Sequence, residues 1–268
     1  MPELPEVETT VRGLARVLQG RRIASVEARR ADLRRSFPED LGQRLTGATV
    51  TSLGRRAKYG LIHTDRGDTM VFHLGMSGSW RIDHATIEKH DHLLLQTDDG
   101  TRLALNDPRR FGSVDLITTD ELQEWPPFQA LGPEPFELDA RDLQSRLRGR
   151  TAAIKLLLGD QRIVAGLGNI YVCEALYRAG IHPKRAAGAV SLDRLKRLVE
   201  AIRAVLDEAI EAGGSTLKDF ISPDGELGYF SKSFAVYDRE GQSCRCGGSV
   251  RRIVQGGRST FYCPHCQH

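Results

Sequence analysis

The period of the apolar residues changes partway along this chain, and that change dictates a two-part fold. From about Arg22 to Thr118 short β-branched or apolar runs (ATVTSL, YGLIHT, DTMVFHLGM, HLLLQT, RLALND, SVDLIT) alternate with turn sequences, among them Asp65-Arg66-Gly67-Asp68 and Asp98-Asp99-Gly100. This is the pattern of a sheet-rich domain, a sandwich or flattened barrel. Ahead of it Val7, Val11, Leu14 and Leu18 recur at helical spacing, which predicts an amphipathic helix ending near Gly20. The stretch from Trp125 to Pro135 carries Pro126, Pro127, Pro133 and Pro135 and follows neither period, so a domain boundary is expected there.

Helical spacing takes over beyond that boundary. Residues 191–212 place Leu192, Leu195, Leu198, Val199, Ile202, Val205, Leu206 and Ala209 on one face, with Ser191 as N-cap and Gly213 as terminator. Upstream, TAAIKLLLGD and GLGNIYVCEALYRAG read as two shorter helices joined by a glycine-containing turn, an arrangement able to offer backbone N–H groups to a phosphate. The fold class expected is α+β.

With 268 residues, 40% of them hydrophobic, the chain can bury a substantial core. No run of 18 apolar residues and no secretory pattern is seen, so a soluble cytoplasmic protein without a membrane partner is expected. A net charge of +3 permits a polyanionic partner and equally suits many metabolic enzymes. Its distribution is more informative: Cys244 to His268 contains Arg245, Arg251, Arg252 and Arg258 and no acidic residue.

That same tail holds Cys244-Arg245-Cys246 and, sixteen residues later, Cys263-Pro264-His265-Cys266. Such a cluster reads as a tetrahedral zinc site, with all four cysteines as ligands. One residue between Cys244 and Cys246 is too few for the usual chelating turn, which leaves His265 or His268 as substitutes and a metal-free hairpin as the competing reading. Cys173, within a helical stretch, is expected to be a buried structural thiol. In His90-Asp91-His92 the alternation of side chains along a strand is expected to prevent a two-histidine metal site.

The start, Met1-Pro2-Glu3-Leu4-Pro5-Glu6-Val7-Glu8, has two readings. In one it is a helix N-terminus, with prolines and acids where the first turn favours them. In the other, removal of Met1 exposes the secondary amine of Pro2, a nucleophile that titrates near neutrality.

Taken together, PELPEVET, RRAKYG at 55–60, HLGMSGS at 73–79, NDPRRFG at 106–112, GLGNIY at 166–171, GGSTLKDF at 213–220 and the terminal GRSTFYCPHC resemble, in order and over essentially the whole chain, the formamidopyrimidine-DNA glycosylases. The resemblance implies an N-terminal catalytic helix plus β-sandwich domain (1–132), a helical helix–two-turn–helix domain (133–233) and a zinc-finger hairpin (234–268). It implies excision of 8-oxoguanine and formamidopyrimidines from damaged double-stranded DNA, followed by β,δ-elimination. Pro2 would be the Schiff-base nucleophile, Glu3 the acid assisting ring opening, Glu6 a further acidic position, Lys58 a phosphate contact and proton carrier, and Arg258 a phosphate-binding arginine tied to the second elimination. Met76, Arg109 and Phe111, with His73 beside them, match the wedge that fills the void when a base is extruded. His90, Arg150 and Asn169 match DNA contacts, and Thr216, Lys218 and the Pro223-Asp224-Gly225 loop match the segment closing over the flipped base. One structural zinc, a monomeric state and a bacterial, nucleoid-associated location complete the expectation. An endonuclease VIII type acting on oxidised pyrimidines usually has Gly where Leu4 stands and lacks the Met76, Arg109, Phe111 set. A non-catalytic zinc-hairpin DNA-binding protein would have no use for Pro2, Glu3 and Lys58.

Overall fold

The computed structural model describes residues 2–83, 86–215, 223 and 228–268. It divides into two compact units, one formed by Met1–Gln129 with Ala212–Ser231 and the other by Ala130–Glu211 with Lys232–His268.

The first unit opens with α1 (Leu4–Leu18) and continues through β1 (Ile23–Ala28), the short α2 (Leu41–Leu45), β2 (Val50–Arg56), β3 (Tyr59–Thr64), β4 (Asp68–His73), β5 (Ser79–Ile82), β6 (Asp91–Thr97), β7 (Arg102–Asn106), β8 (Ser113–Thr118) and α3 (Pro126–Gln129). Two antiparallel four-stranded sheets result, ordered β1-β6-β7-β5 and β2-β3-β4-β8. The apolar stripe of α1, Val7, Val11, Leu14 and Leu18, packs into one core with Ile62, Met70, Phe72, Trp80, Leu93, Leu95, Leu103 and Leu105. Each such side chain contributes about 1.5–3 kcal/mol on leaving water, so the helix is anchored by burial rather than by propensity alone. Five consecutive residues of β4, Asp68 to Phe72, are buried, so both faces of this strand are covered.

The second unit contains α4 (Ala140–Leu147), α5 (Ile154–Leu158), α6 (Asn169–Arg178), α7 (Leu192–Glu211) and a hairpin of β9 (Arg251–Gln255) and β10 (Arg258–Tyr262). The long helix matches its expected extent, and Leu195, Leu198, Val199, Ile202, Val205, Leu206 and Ala209 are buried. Cys173 of α6 is 1% exposed and packs with Val236, Val250 and Phe261, as a structural thiol should. Among the described residues no helix is long and apolar enough to cross a membrane.

Candidate functional site

In the first unit the chain start is fixed before any ligand is considered. Glu3 is the N-cap of α1 and forms a capping box with Glu6. Glu6 Oε2 accepts from the Glu3 N–H at 2.8 Å, and Glu6 Oε1 accepts from the Ser215 N–H at 2.8 Å. Both carboxylates are 2% exposed, and Pro2 beside them is buried. Glu6 therefore ties the backbone next to Pro2 to that of Ser215.

Lys58 sits in the β2–β3 turn, where Ala57 adopts a φ of 54°. Glu8 on α1 accepts from Arg55 Nε at 3.1 Å, and Arg55 Nη1 donates to the Ala57 carbonyl at 2.9 Å, so the turn is tied to the first helix. At 7% exposure Lys58 is a buried cation and not a solvated strand end.

At the end of β4, His73 stands in register with Tyr59, ring centroids 5.0 Å apart. Its Nδ1 accepts from the Gly75 N–H at 3.0 Å. Burial, reinforced by the positive charges of Lys58, Arg34 and Arg35, lowers its pKa to about 4. A neutral imidazole whose Nδ1 is an acceptor carries its proton on Nε2, ready to donate to an anion.

Beyond His73 the chain turns through half-buried Met76, and the loop after β7 presents Arg109 and Phe111. Phe111 is 44% exposed, and the Arg109 guanidinium carbon lies 4.9 Å from its ring centroid. Read alone, Phe111 would be a core residue. An exposed phenyl under an arginine instead suits a group that waits for a partner.

His90 and His92 require a correction. Positions two apart share a strand face, and the rings approach to 6.2 Å. The feature that opposes a metal pair is a commitment of His92, whose Nε2 bonds to the Asp107 carbonyl at 3.0 Å.

In the second unit, Lys155, Gly168, Asn169, Gln255, Gly256 and Arg258 line a cleft of about 200 Å³ that has no carboxylate in its wall. The N-terminus of α6 begins at Asn169, whose Nδ2 donates to the Ser259 carbonyl at 2.8 Å. That bond joins α6 to the hairpin. Asn169 Oδ1 and Gln255 Oε1 are buried with no hydrogen-bond partner among the described residues. Two cations and a helix N-terminus in one cleft make an anion site. Lys155, only 5% exposed, was invisible in the sequence, where AAIKLLL reads as an ordinary amphipathic turn. Arg150 is exposed, follows α4 and does not line this cleft.

Glu174 was also overlooked, although a carboxylate inside the apolar run NIYVCEALY is a signal. It is fully buried and accepts from the backbone N–H groups of Ala235, Val236 and Tyr237 at 2.9, 2.9 and 2.8 Å. These bonds fasten the turn segment leading to the cysteine cluster.

The sulfurs of Cys244, Cys246, Cys263 and Cys266 lie within 4.8 Å of one another. Cys244–Cys266 and Cys246–Cys263 are separated by 3.7 and 3.6 Å. A disulfide would need about 2.0 Å, whereas zinc bound to four thiolates at about 2.3 Å sets sulfurs about 3.8 Å apart. The four thiols therefore fit one zinc ion, and neither His265 nor His268 belongs to the group. Thr216, Lys218, Asp224 and Gly225 lie outside the described residues. Pro223 packs against Gly13 of α1.

Three family models match in sequence: the formamidopyrimidine-DNA glycosylase N-terminal domain over residues 1–114, the formamidopyrimidine-DNA glycosylase H2TH domain over 131–221, and a zinc finger found in FPG and IleRS over 245–268. The formamidopyrimidine-DNA glycosylases of Novosphingobium aromaticivorans and Rhizorhabdus wittichii are 70% and 66% identical, each alignment covering 100% of both chains. Among solved structures, a point mutant of the Lactococcus lactis FPG bound to Fapy-dG-containing DNA superposes with a TM-score of 0.92 at 36% identity, covering 100% of both chains. The complex of the Lactococcus lactis FPG with DNA containing an abasic site gives 0.91 at the same identity and coverage.

Proposed function

The chain belongs to the formamidopyrimidine-DNA glycosylase family, and on that premise we propose a bifunctional repair enzyme that removes oxidised purines, 8-oxoguanine and formamidopyrimidines, and then cuts the strand. It is a DNA glycosylase of base excision repair. The observation that carries the residue-level reading is the burial of Glu3, Glu6 and Lys58 in the unit that contains Pro2. Buried ionisable side chains are costly unless structure or chemistry uses them.

Removal of Met1 leaves Pro2 with a secondary amine, and an ordinary α-amino group titrates at about 7.7–8.0. The neutral amine attacks C1′ of the damaged nucleotide, and the bond from C1′ to the base breaks as the base takes up a proton. Glu3 protonates the ring oxygen as the sugar opens, which leaves an iminium between the Pro2 nitrogen and C1′. Loss of a C2′ proton expels the 3′ phosphate, a second elimination expels the 5′ phosphate, and water then releases Pro2 from C1′. Lys58 steadies a phosphate and carries protons in the eliminations, while Nε2 of neutral His73 donates to a phosphate oxygen.

Met76, Arg109 and Phe111 enter the stack as the base leaves it, with Arg109 donating to the estranged cytosine. Asn169, Arg258 and Lys155 hold a DNA phosphate in the cleft of the second unit. His90 and Arg150 serve as further DNA contacts, Thr216 and Lys218 belong to the loop that covers the flipped base, and the zinc ion folds the hairpin. We further read the chain as a monomer inside the bacterial cell, associated with the nucleoid, with functional parts at 1–132, 133–233 and 234–268.

Borohydride trapping on a duplex with 8-oxoguanine opposite cytosine tests the nucleophile. The expected result is a covalent complex with the Met1-processed protein and at least a tenfold lower yield with Pro2→Gly, about the cost of one lost transition-state contact. No complex, or an unchanged yield with the variant, overturns it. A thymine-glycol duplex run in parallel distinguishes purine from pyrimidine specificity.

A further inference from the structure

The proposed wedge is carried by two loops, residues 74–78 and 107–112, and one buried carboxylate joins them. Asp107 is fully buried. Its Oδ1 accepts from the Ser77 hydroxyl at 2.7 Å, and its Oδ2 accepts from the Gly112 N–H at 2.8 Å. Ser77 Oγ in turn accepts from the Arg109 N–H at 3.2 Å. The Asp107 carbonyl bonds to His92 Nε2 and accepts from the Arg110 N–H at 3.2 Å, while the Asp107 N–H donates to the His90 carbonyl at 3.0 Å. One residue thus connects the Met76 loop, the Arg109–Phe111 loop and the strand start that carries His90.

The backbone around it is constrained to match. Gly75 has a φ of 62°, and a Cβ there would lie 2.3 Å from the Phe111 carbonyl carbon, so the two loops touch through backbone. Arg110 holds a φ of 58°, a left-handed conformation that a long side chain adopts only when its surroundings impose it. A carboxylate is well suited to this place because two converging donors must be met by an acceptor-only group.

We propose that Asp107, acting through Ser77 and Gly112, is a positioning residue that pre-assembles the wedge in the free protein, so that base extrusion does not have to order these loops. The proposal rests on the reading of Met76, Arg109 and Phe111 as void-fillers. Removing the Ser77 hydroxyl leaves Asp107 Oδ1 and the Arg109 N–H without their shared partner at almost no change in volume. Asp107→Asn is milder: its amide can donate to Ser77 Oγ and its carbonyl can still accept from Gly112, leaving only the serine proton unmet.

The test uses full-length, zinc-loaded, Met1-processed protein on an 8-oxoguanine duplex with 2-aminopurine beside the lesion, read by stopped-flow fluorescence for extrusion and by single-turnover excision. Ser77→Ala, Asp107→Asn, Phe111→Ala and the Ser77→Ala/Phe111→Ala double variant are compared, each checked for an unchanged thermal midpoint. Ser77→Ala is expected to slow extrusion about tenfold, the scale of a misplaced positioning contact, with Asp107→Asn in between. The double variant should be slower than Phe111→Ala alone by less than the Ser77→Ala factor, because the serine acts through Met76 and Arg109 as well as Phe111. If Phe111→Ala leaves extrusion unchanged, the wedge reading fails, and this proposal with it. If Phe111→Ala slows extrusion while Ser77→Ala does not, the positioning role is overturned and the wedge stands.

Discussion

Glu174→Gln is the substitution for which the structure supplies the firmest arithmetic. The carboxylate is fully buried and accepts three backbone N–H bonds, from Val236 and Tyr237 on Oε1 and from Ala235 on Oε2. Glutamine matches its volume but has a single acceptor. With its oxygen turned to Val236 and Tyr237, its NH₂ confronts the Ala235 N–H, donor against donor. One charge-assisted bond worth about 1.5–3 kcal/mol is lost and two others fall to the neutral range of about 0.5–1.5 kcal/mol. Relief from burying a charge offsets part of this, which leaves a net loss of about 3–5 kcal/mol.

A protein of ordinary stability has about 5–15 kcal/mol in hand, so the variant folds but unfolds early. With a urea slope of about 2–3 kcal/mol per molar, the midpoint followed by far-UV circular dichroism should fall by about 1–2.5 M. Trp80 and Trp125 both lie in the first unit, so their fluorescence reports that unit, while residues 235–237 belong to the second. Zinc transfer to a chromogenic chelator should accelerate as well, because these residues lead into Cys244. A midpoint within about 0.3 M of the parent, together with unchanged zinc transfer, would refute the reasoning.

His73 makes stability depend on pH in a defined window. Its folded pKa of about 4 lies below the ordinary histidine value of 6.5, so between them the unfolded chain binds more protons and stability falls as pH is lowered, levelling off below about 4. Thermal melts across that window should show His73→Gln losing up to about 3 kcal/mol less than the parent, and parallel curves would exclude the effect. The Tyr177 hydroxyl lies 3.2 Å from Cys244 Sγ, and as a donor to a zinc-bound thiolate it restrains metal loss. Tyr177→Phe should speed zinc transfer to a chelator by roughly tenfold, and a rate within twofold would count against it. Arg258→Ala should weaken binding to damaged and undamaged duplex alike and reduce the slope of log affinity against log salt by about 1. A loss confined to damaged DNA would contradict its assignment to a phosphate.

Elements whose apolar residues keep a clear period were legible in the sequence. α1 and α7 announce their buried faces, and β3, β4, β7 and β8 fall within the expected runs. β1 was not foreseen because of its residues only Ile23 is fully buried, and the four-residue β5 is too short to establish alternation. The site was legible differently. Pro2, Lys58, Met76, Arg109 and Phe111 stand out through ordered sequence blocks, whereas residue type alone assigns Phe111 to a core it does not enter. Lys155, Gln255 and Asp107 are brought to their places by tertiary convergence, which no local pattern encodes. The histidines at 90 and 92 show the same limit: their partner lies in another loop, at Asp107.

The shortened Cys244-Arg245-Cys246 half-site shows where spacing arithmetic fails and what replaces it. Counting residues between thiols treats the loop as the only freedom available, and one residue is then too few. In the structure the reversal runs through the second cysteine and closes at Gly247 and Gly248. The Gly247 N–H donates to the Cys244 carbonyl at 2.9 Å, the Cys244 N–H donates to the Gly248 carbonyl at 2.7 Å, and the Gly248 N–H points at Cys246 Sγ at 3.4 Å. Gly247 has a φ of 82°, and a Cβ on Gly248 would stand 3.1 Å from the His265 ring and 3.3 Å from Cys246 Sγ. The turn therefore needs one glycine for its dihedral and the next for its space. The Gly-Gly pair does the work of the missing residue, and the sulfurs reach zinc-compatible separations of 3.6 and 3.7 Å. The informative unit in the sequence was thus Cys-Arg-Cys-Gly-Gly, in which the departure from regular spacing and its compensation are adjacent.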